Sequence, residues 1–141
     1  MLIGFSDPMS AKAPQSSGAA KVRTSHRVLL CIDDDETQVL LQRALLHAKG
    51  YDVVVATGGR DGIAAFGNHH VDLVVIDYRM PDLDGGTVAR KLKEKNPSVP
   101  IVMFTGVDEI SPDALAAVTS LVKKGDSPTA LSDEVQRLLA F

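Results

Sequence analysis

From His26 onward, short uninterrupted apolar runs alternate with longer stretches whose apolar residues recur at helical spacing. The runs stand at Val28–Ile32, Val53–Ala56, Leu73–Ile76, Ile101–Phe104 and, more weakly, Ser120–Val122. Strands that lack polar alternation belong to a sheet covered on both faces. Between them the spacing predicts a helix over 36–49, with Leu41, Leu45 and Ala48 on one face and Gly50 as its stop. A second helix, over 60–66, is weakened by its glycines. A third, over 86–95, stacks Val88 on Leu92 and ends at Asn96-Pro97. Ser111-Pro112 and Ser127-Pro128 each read as an N-cap followed by a proline at the first helical position, opening a fourth and a fifth helix. Leu131, Val135 and Leu138 form the apolar stripe of the fifth. Five strand–helix units with short connections predict an α/β fold, a doubly wound parallel sheet with helices on both faces.

Residues 1–25 show no such pattern. They are rich in Ser, Ala, Gly, Lys and Pro, and read as a disordered N-terminal extension to one domain spanning 26–141. The start lacks a basic segment followed by a sustained apolar core, so it does not read as a secretion signal. No apolar stretch is long enough to cross a bilayer. The single cysteine, Cys31, lies inside the first apolar run, which suits a reducing, cytoplasmic setting. A net charge of −3 over 141 residues argues against a nucleic acid or an anionic membrane as a partner held by bulk electrostatics.

In doubly wound sheets, ligands collect at the carboxyl ends of the strands. The residues just after each run are Asp33, Asp34 and Asp35, then Asp77, Thr105 and Lys123. Two carboxylates ~4 Å apart repel by about 4 kcal/mol at an effective dielectric near 20. Asp33, Asp34 and Asp77 therefore share a cleft only if a cation joins them, and hard oxygen donors favour Mg²⁺, or Mn²⁺. With its charge so screened, one carboxylate becomes a usable nucleophile toward phosphorus. Lys123 adds a second positive charge for the incoming oxygens, and Thr105 a hydroxyl. The product expected from this set is an aspartyl phosphate. Asp35 is set apart, because Asp35-x-x-Gln38 reads as a helix capping box. The adjacent His69 and His70 have no Cys or His partner at metal-binding spacing and read as exposed.

The segments IDDDE, DLVVIDYRMPDLDGG, IVMFTG and LVKKG, in this order, resemble the receiver domain of two-component response regulators. The resemblance covers about residues 26–141 and is carried chiefly by Asp77, Met80, Pro81, Asp84 and Gly85. It implies a flavodoxin-like (βα)5 fold with strand order 2-1-3-4-5. It also implies Asp77 as phosphoacceptor, and a Mg²⁺ held by Asp33, Asp34, Asp77 and the backbone carbonyl of Arg79. Thr105 and Lys123 then take the switch-hydroxyl and phosphate-pairing roles. The implied partners are a sensor histidine kinase or a histidine phosphotransfer protein and an unknown downstream protein, met by a monomer or weak dimer. The role is signalling rather than enzymatic turnover, and with nothing after Phe141 the expectation is a stand-alone receiver.

Three positions depart from the family pattern. Lys124 follows Lys123 where proline is usual, Ser120 stands where an aromatic residue is common, and Gly106 follows Thr105 where alanine is common. Two rival readings stay open at this point. Asp33-x-Asp35-x-Thr37 is similar to the first motif of haloacid-dehalogenase-type phosphatases, with Asp33 as nucleophile and Asp35 as general acid. That reading leaves Asp77 and its sequel unexplained, and ~115 folded residues hardly accommodate such an enzyme and its cap. The other rival is a degenerate receiver used only for docking.

Overall fold

All five apolar runs form strands in the computed structural model, which describes residues 26–140. The extension expected over 1–25 lies outside the described residues. In chain order the elements are β1 (Val28–Ile32), α1 (Glu36–His47), β2 (Asp52–Ala56), α2 (Gly59–Asn68) and β3 (Leu73–Ile76). They continue with α3 (Gly85–Lys95), β4 (Ile101–Thr105), α4 (Pro112–Ala116), β5 (Ser120–Lys123) and α5 (Ala130–Leu139). The strands are all parallel in the order β2-β1-β3-β4-β5, the predicted doubly wound arrangement.

Strand alternation divides the core into two layers. Leu30, Ile32, Val74, Ile76 and Ile101 pack against Val88, Ala89 and Leu92 of α3 and against α2. Leu29, Cys31, Leu73, Val75, Val102 and Val122 pack against Val39 and Leu46 of α1 and Leu131, Val135 and Leu139 of α5. Both faces of the sheet are thus apolar, which is why the strand sequences show no polar alternation. Among the described residues no helix is long and apolar enough to cross a membrane.

Two helices differ from the sequence reading. α1 buries Val39, Gln42 and Leu46, whereas Leu41 and Leu45 stand about half exposed. Both sets obey helical spacing, and the stripe chosen by hydrophobicity alone is the wrong one because it ignores the buried glutamine. α5 begins at Ala130, with Thr129 at the N-cap position. Ser127 and Pro128 precede it in a turn closed by Ala130 N–H on the Ser127 carbonyl. The cap predicted at Ser111, with Pro112 opening α4, is formed, as is that of Asp35 on the Gln38 N–H of α1.

The start of α2 is held unusually. Its N-cap residue, Gly58, has no side chain to offer. Asp82, from the loop after β3, reaches across instead, accepting from Gly59 N–H at 3.0 Å and Arg60 N–H at 2.9 Å. The bonds from Arg60 and Gly59 hold its carboxyl below the usual carboxylate range. Asp82→Ala should cost about 1 kcal/mol, as loss of an N-cap does. Adding Gly58→Ser should recover part of it, because the nearest atoms to a Cβ at 58 belong to the carboxylate that has been removed. Folding lowers this pKa, so the contribution is complete above the unfolded-state value of ~3.9 and fades as pH falls through the folded-state one. Denaturant midpoints should therefore separate wild type from Asp82→Ala at pH 7, and the gap should narrow as pH falls below the unfolded-state value. Equal midpoints at pH 7 would show that the cap carries no stability.

Candidate metal centre

The parity that builds the α1–α5 layer also gathers charge at the carboxyl edge of the sheet. Side chains of like parity follow Leu29 and Cys31 to Asp33, Leu73 and Val75 to Asp77, and Val122 to Lys124. Backbone bonds from Asp33 N–H to the Ala56 carbonyl and from Asp77 N–H to the Ile32 carbonyl extend the sheet past its strands, so both aspartates start from fixed positions. One carboxylate oxygen from each of Asp33, Asp34 and Asp77 lies within 4.8 Å of the other two. The predicted convergence is present. Asp33 is buried, Asp77 is half-buried and Asp34 is exposed, so the cluster opens to solvent on one side.

Asp33 is the most heavily bonded of the three. Its Oδ1 accepts from Asp35 N–H at 2.9 Å, and its Oδ2 from the Lys124 ammonium at 2.7 Å and the Gln42 amide at 3.4 Å. Asp77 Oδ1 accepts from Tyr78 N–H at 2.8 Å, leaving Oδ2 toward Lys124 at 3.4 Å. Burial works against the charge on Lys124, but its bonds and attractions to Asp33 and Asp77 outweigh that and raise its pKa. The ammonium also lies 5.8 Å from the centre of the Phe104 ring. Nearby Cys31 is inert, since burial, with the Asp33 charge, pushes its thiol up to about 12.

The lysine beside Asp77 is thus Lys124, not the expected Lys123. Lys123 pairs in register with Thr105, and its ammonium donates to the Val107 carbonyl at 2.8 Å and to Asp108 Oδ1 at 2.9 Å. Adjacent residues of a strand point to opposite faces, so only one of two neighbouring lysines reaches the acids. Lys124 has the parity of Val122 and Phe104; Lys123 has that of Thr105. Counted from Lys124, the residue three positions earlier is Leu121, which is exposed, and the next residue is Gly125.

Thr105 is fully buried, and its Oγ1 accepts from Val107 N–H at 3.2 Å. Arg79 lies exposed on the loop between Asp77 and α3. Asp35 is occupied as the α1 cap and takes no part in the cluster, which leaves Asp33 without the acid partner that the phosphatase reading requires. His69 and His70 are exposed and bond to Ala65 and Asp72. Gln42 was missed. Its signal was available, because Val39, Gln42 and Leu46 follow i, i+3, i+7 spacing and a glutamine on that face needs a buried partner. The donor set consists of three hard carboxylates, one side open to water, with the Lys124 ammonium, alone among the described residues, pairing with them. It fits a small divalent cation.

A family model described as the response regulator receiver domain matches residues 29–125. The transcriptional regulatory protein GlrR of Escherichia coli K12 is 36% identical over 89 residues, covering 63% of this chain and 20% of its own length. The transcriptional regulatory protein TrcR of Mycobacterium tuberculosis is 34% identical over 116 residues, covering 79% of this chain and 43% of its own. The chain thus spans about a fifth to under a half of these relatives. Among solved structures, the response regulator protein TrrA of Thermotoga maritima, in complex with Mg²⁺ and BeF, superposes with a TM-score of 0.76 at 26% identity. That match covers 80% of this chain and 99% of the other.

Proposed function

Because this chain belongs to the response regulator receiver domain family, we propose that it accepts a phosphoryl group on Asp77 from a phosphohistidine of a sensor histidine kinase or histidine phosphotransfer protein. The observation that carries this reading is the convergence of Asp33, Asp34 and Asp77, with the Lys124 ammonium 3.4 Å from Asp77 Oδ2.

Asp77 Oδ1 is tied to the Tyr78 N–H, so Oδ2 is the nucleophilic oxygen. It forms a bond to phosphorus as the phosphorus–nitrogen bond of the donor breaks, and the departing imidazole takes a proton from water. Lys124, whose pKa is raised by its acidic neighbours, stays charged and pairs with the phosphoryl oxygens. Thr105, whose hydroxyl accepts from Val107 N–H in this structure, turns to donate to the same group once it is attached. Lys124 thus takes the role the sequence reading gave to Lys123. Asp33, Asp34, Asp77 and the Arg79 carbonyl would hold Mg²⁺, which when bound offsets carboxylate repulsion and phosphoryl charge. The likeness to TrrA, seen with Mg²⁺ and BeF, supports this choice of cofactor.

Phosphorylation then biases a surface made of α4, β5 and α5 toward a downstream protein. Leu115 and Leu121, both about 40% exposed, give that surface apolar contact area. The net charge of −3 over the whole chain favours a protein over nucleic acid as its partner.

Incubation with acetyl phosphate should yield one phosphoryl group per chain, only when Mg²⁺ is present, mapped to Asp77 by borohydride trapping and peptide mass analysis. Steady hydrolysis of phosphate esters with the label on Asp33 would overturn the assignment in favour of the phosphatase.

A further inference from the structure

The two adjacent lysines at the end of β5 serve different loops. Lys124 reaches the acids, whereas Lys123 folds back over the segment 106–111 between β4 and α4. Lys123 keeps about a third of its side chain exposed, and Asp108 is about 90% exposed, so their ion pair alone contributes little. The Val107 carbonyl changes this, because a backbone acceptor restrains the chain itself.

Val107 is held through both of its polar backbone groups. Its N–H donates to Thr105 Oγ1 at 3.2 Å, and its carbonyl accepts from Lys123 at 2.8 Å. Gly106 between them adds no packing, since a Cβ there would meet nothing within 4 Å. Two consecutive hydrogen bonds thus link the Thr105 hydroxyl through the Val107 backbone to the Lys123 ammonium, so the resting position of that hydroxyl is coupled to the Lys123 bond. We propose that Lys123 is a positioning residue for Thr105, a latch that holds the β4–α4 loop in its resting conformation and opposes engagement of the phosphorylated site.

This inference rests on the phosphoacceptor reading, and its test separates the two. Lys123→Met keeps the aliphatic stem and removes the donor; Lys123→Arg keeps a donor. Beryllofluoride with Mg²⁺ serves as the probe, its bound signal followed by ¹⁹F NMR, with amide exchange read at Val107. Lys123→Met should bind beryllofluoride about fivefold more tightly than wild type, because the resting population it must displace is less favoured. Val107 exchange should quicken, Lys123→Arg should resemble wild type, and the gap should narrow with salt, which screens the exposed half of the latch. Lys124→Met should bind the probe far more weakly. Wild-type affinity and exchange in Lys123→Met, with Lys124→Met still impaired, would overturn the latch and leave the phosphoacceptor reading intact. Lost binding in Lys123→Met alone would overturn both the latch and the assignment of Lys124.

Discussion

Asp77→Asn is expected to take up no phosphoryl group from acetyl phosphate and, in metal-free buffer, to unfold at a higher temperature than wild type. An amide cannot form the acyl phosphate, so the loss should be complete by intact mass. The stability gain follows from the same geometry. One oxygen of each of the three carboxylates lies within 4.8 Å of the other two, and the Lys124 ammonium pairs with two of them, Asp33 and Asp77. At about 4 kcal/mol per pair near 4 Å, their repulsion exceeds what one lysine offsets. Solvent beside exposed Asp34 screens part of this, leaving a net gain of about 1 kcal/mol once one charge is removed. The closer bond, from Lys124 to Asp33 at 2.7 Å, survives the change. Mg²⁺ should reverse the order, stabilising wild type more, because the variant has lost one of its anionic ligands. Paired thermal melts with and without Mg²⁺ read both effects. A phosphoryl adduct that persists in Asp77→Asn would place the acceptor elsewhere.

The largest stability effect is expected at Gly85. A Cβ there would stand 2.2 Å from the Asp77 carbonyl oxygen and 3.0 Å from both Asp77 C and Tyr78 Cα. All three are backbone atoms, so no rotamer change relieves the clash. Gly85 N–H also donates to the Tyr78 carbonyl at 2.7 Å, which clamps the first turn of α3 against the loop that carries the acceptor. Gly85→Ala must push these segments apart. It should cost about 3 kcal/mol, lowering the melting temperature by roughly 10 °C. Asp77 should be misplaced with its loop, so phosphorylation should slow at least about tenfold at temperatures where the variant is still folded. Gly125→Ala is the matched control, because its Cβ would meet nothing within 4 Å. Equal melting temperatures for the two alanine variants would refute this account of the loop.

Strand positions were legible because the burial that creates them leaves unbroken apolar runs. Val28–Ile32 and Leu73–Ile76 are strands over the expected residues, and Asp33 and Asp77 follow from where they stop. The helix faces were less legible. Leu41 and Leu45 look like a core stripe, yet the face turned inward carries Gln42, whose partner, Asp33, belongs to another element. The start of α5 slipped for a related reason: Ser127-Pro128 has cap chemistry, but the helix forms only from Ala130.

By itself the sequence determined the parallel α/β sheet and the strand ends that carry Asp33, Asp34 and Asp77, because run length is a local property of the chain. Only the tertiary structure decided between Lys123 and Lys124. β5 is four residues long and half exposed, so its pattern leaves the register open by one position. Pairing with β4 closes it, setting Lys123 opposite Thr105 and sending Lys124 across the sheet edge to the acids. A one-residue shift exchanges the faces of every side chain on a strand, and neighbours in space, rather than in sequence, set that choice.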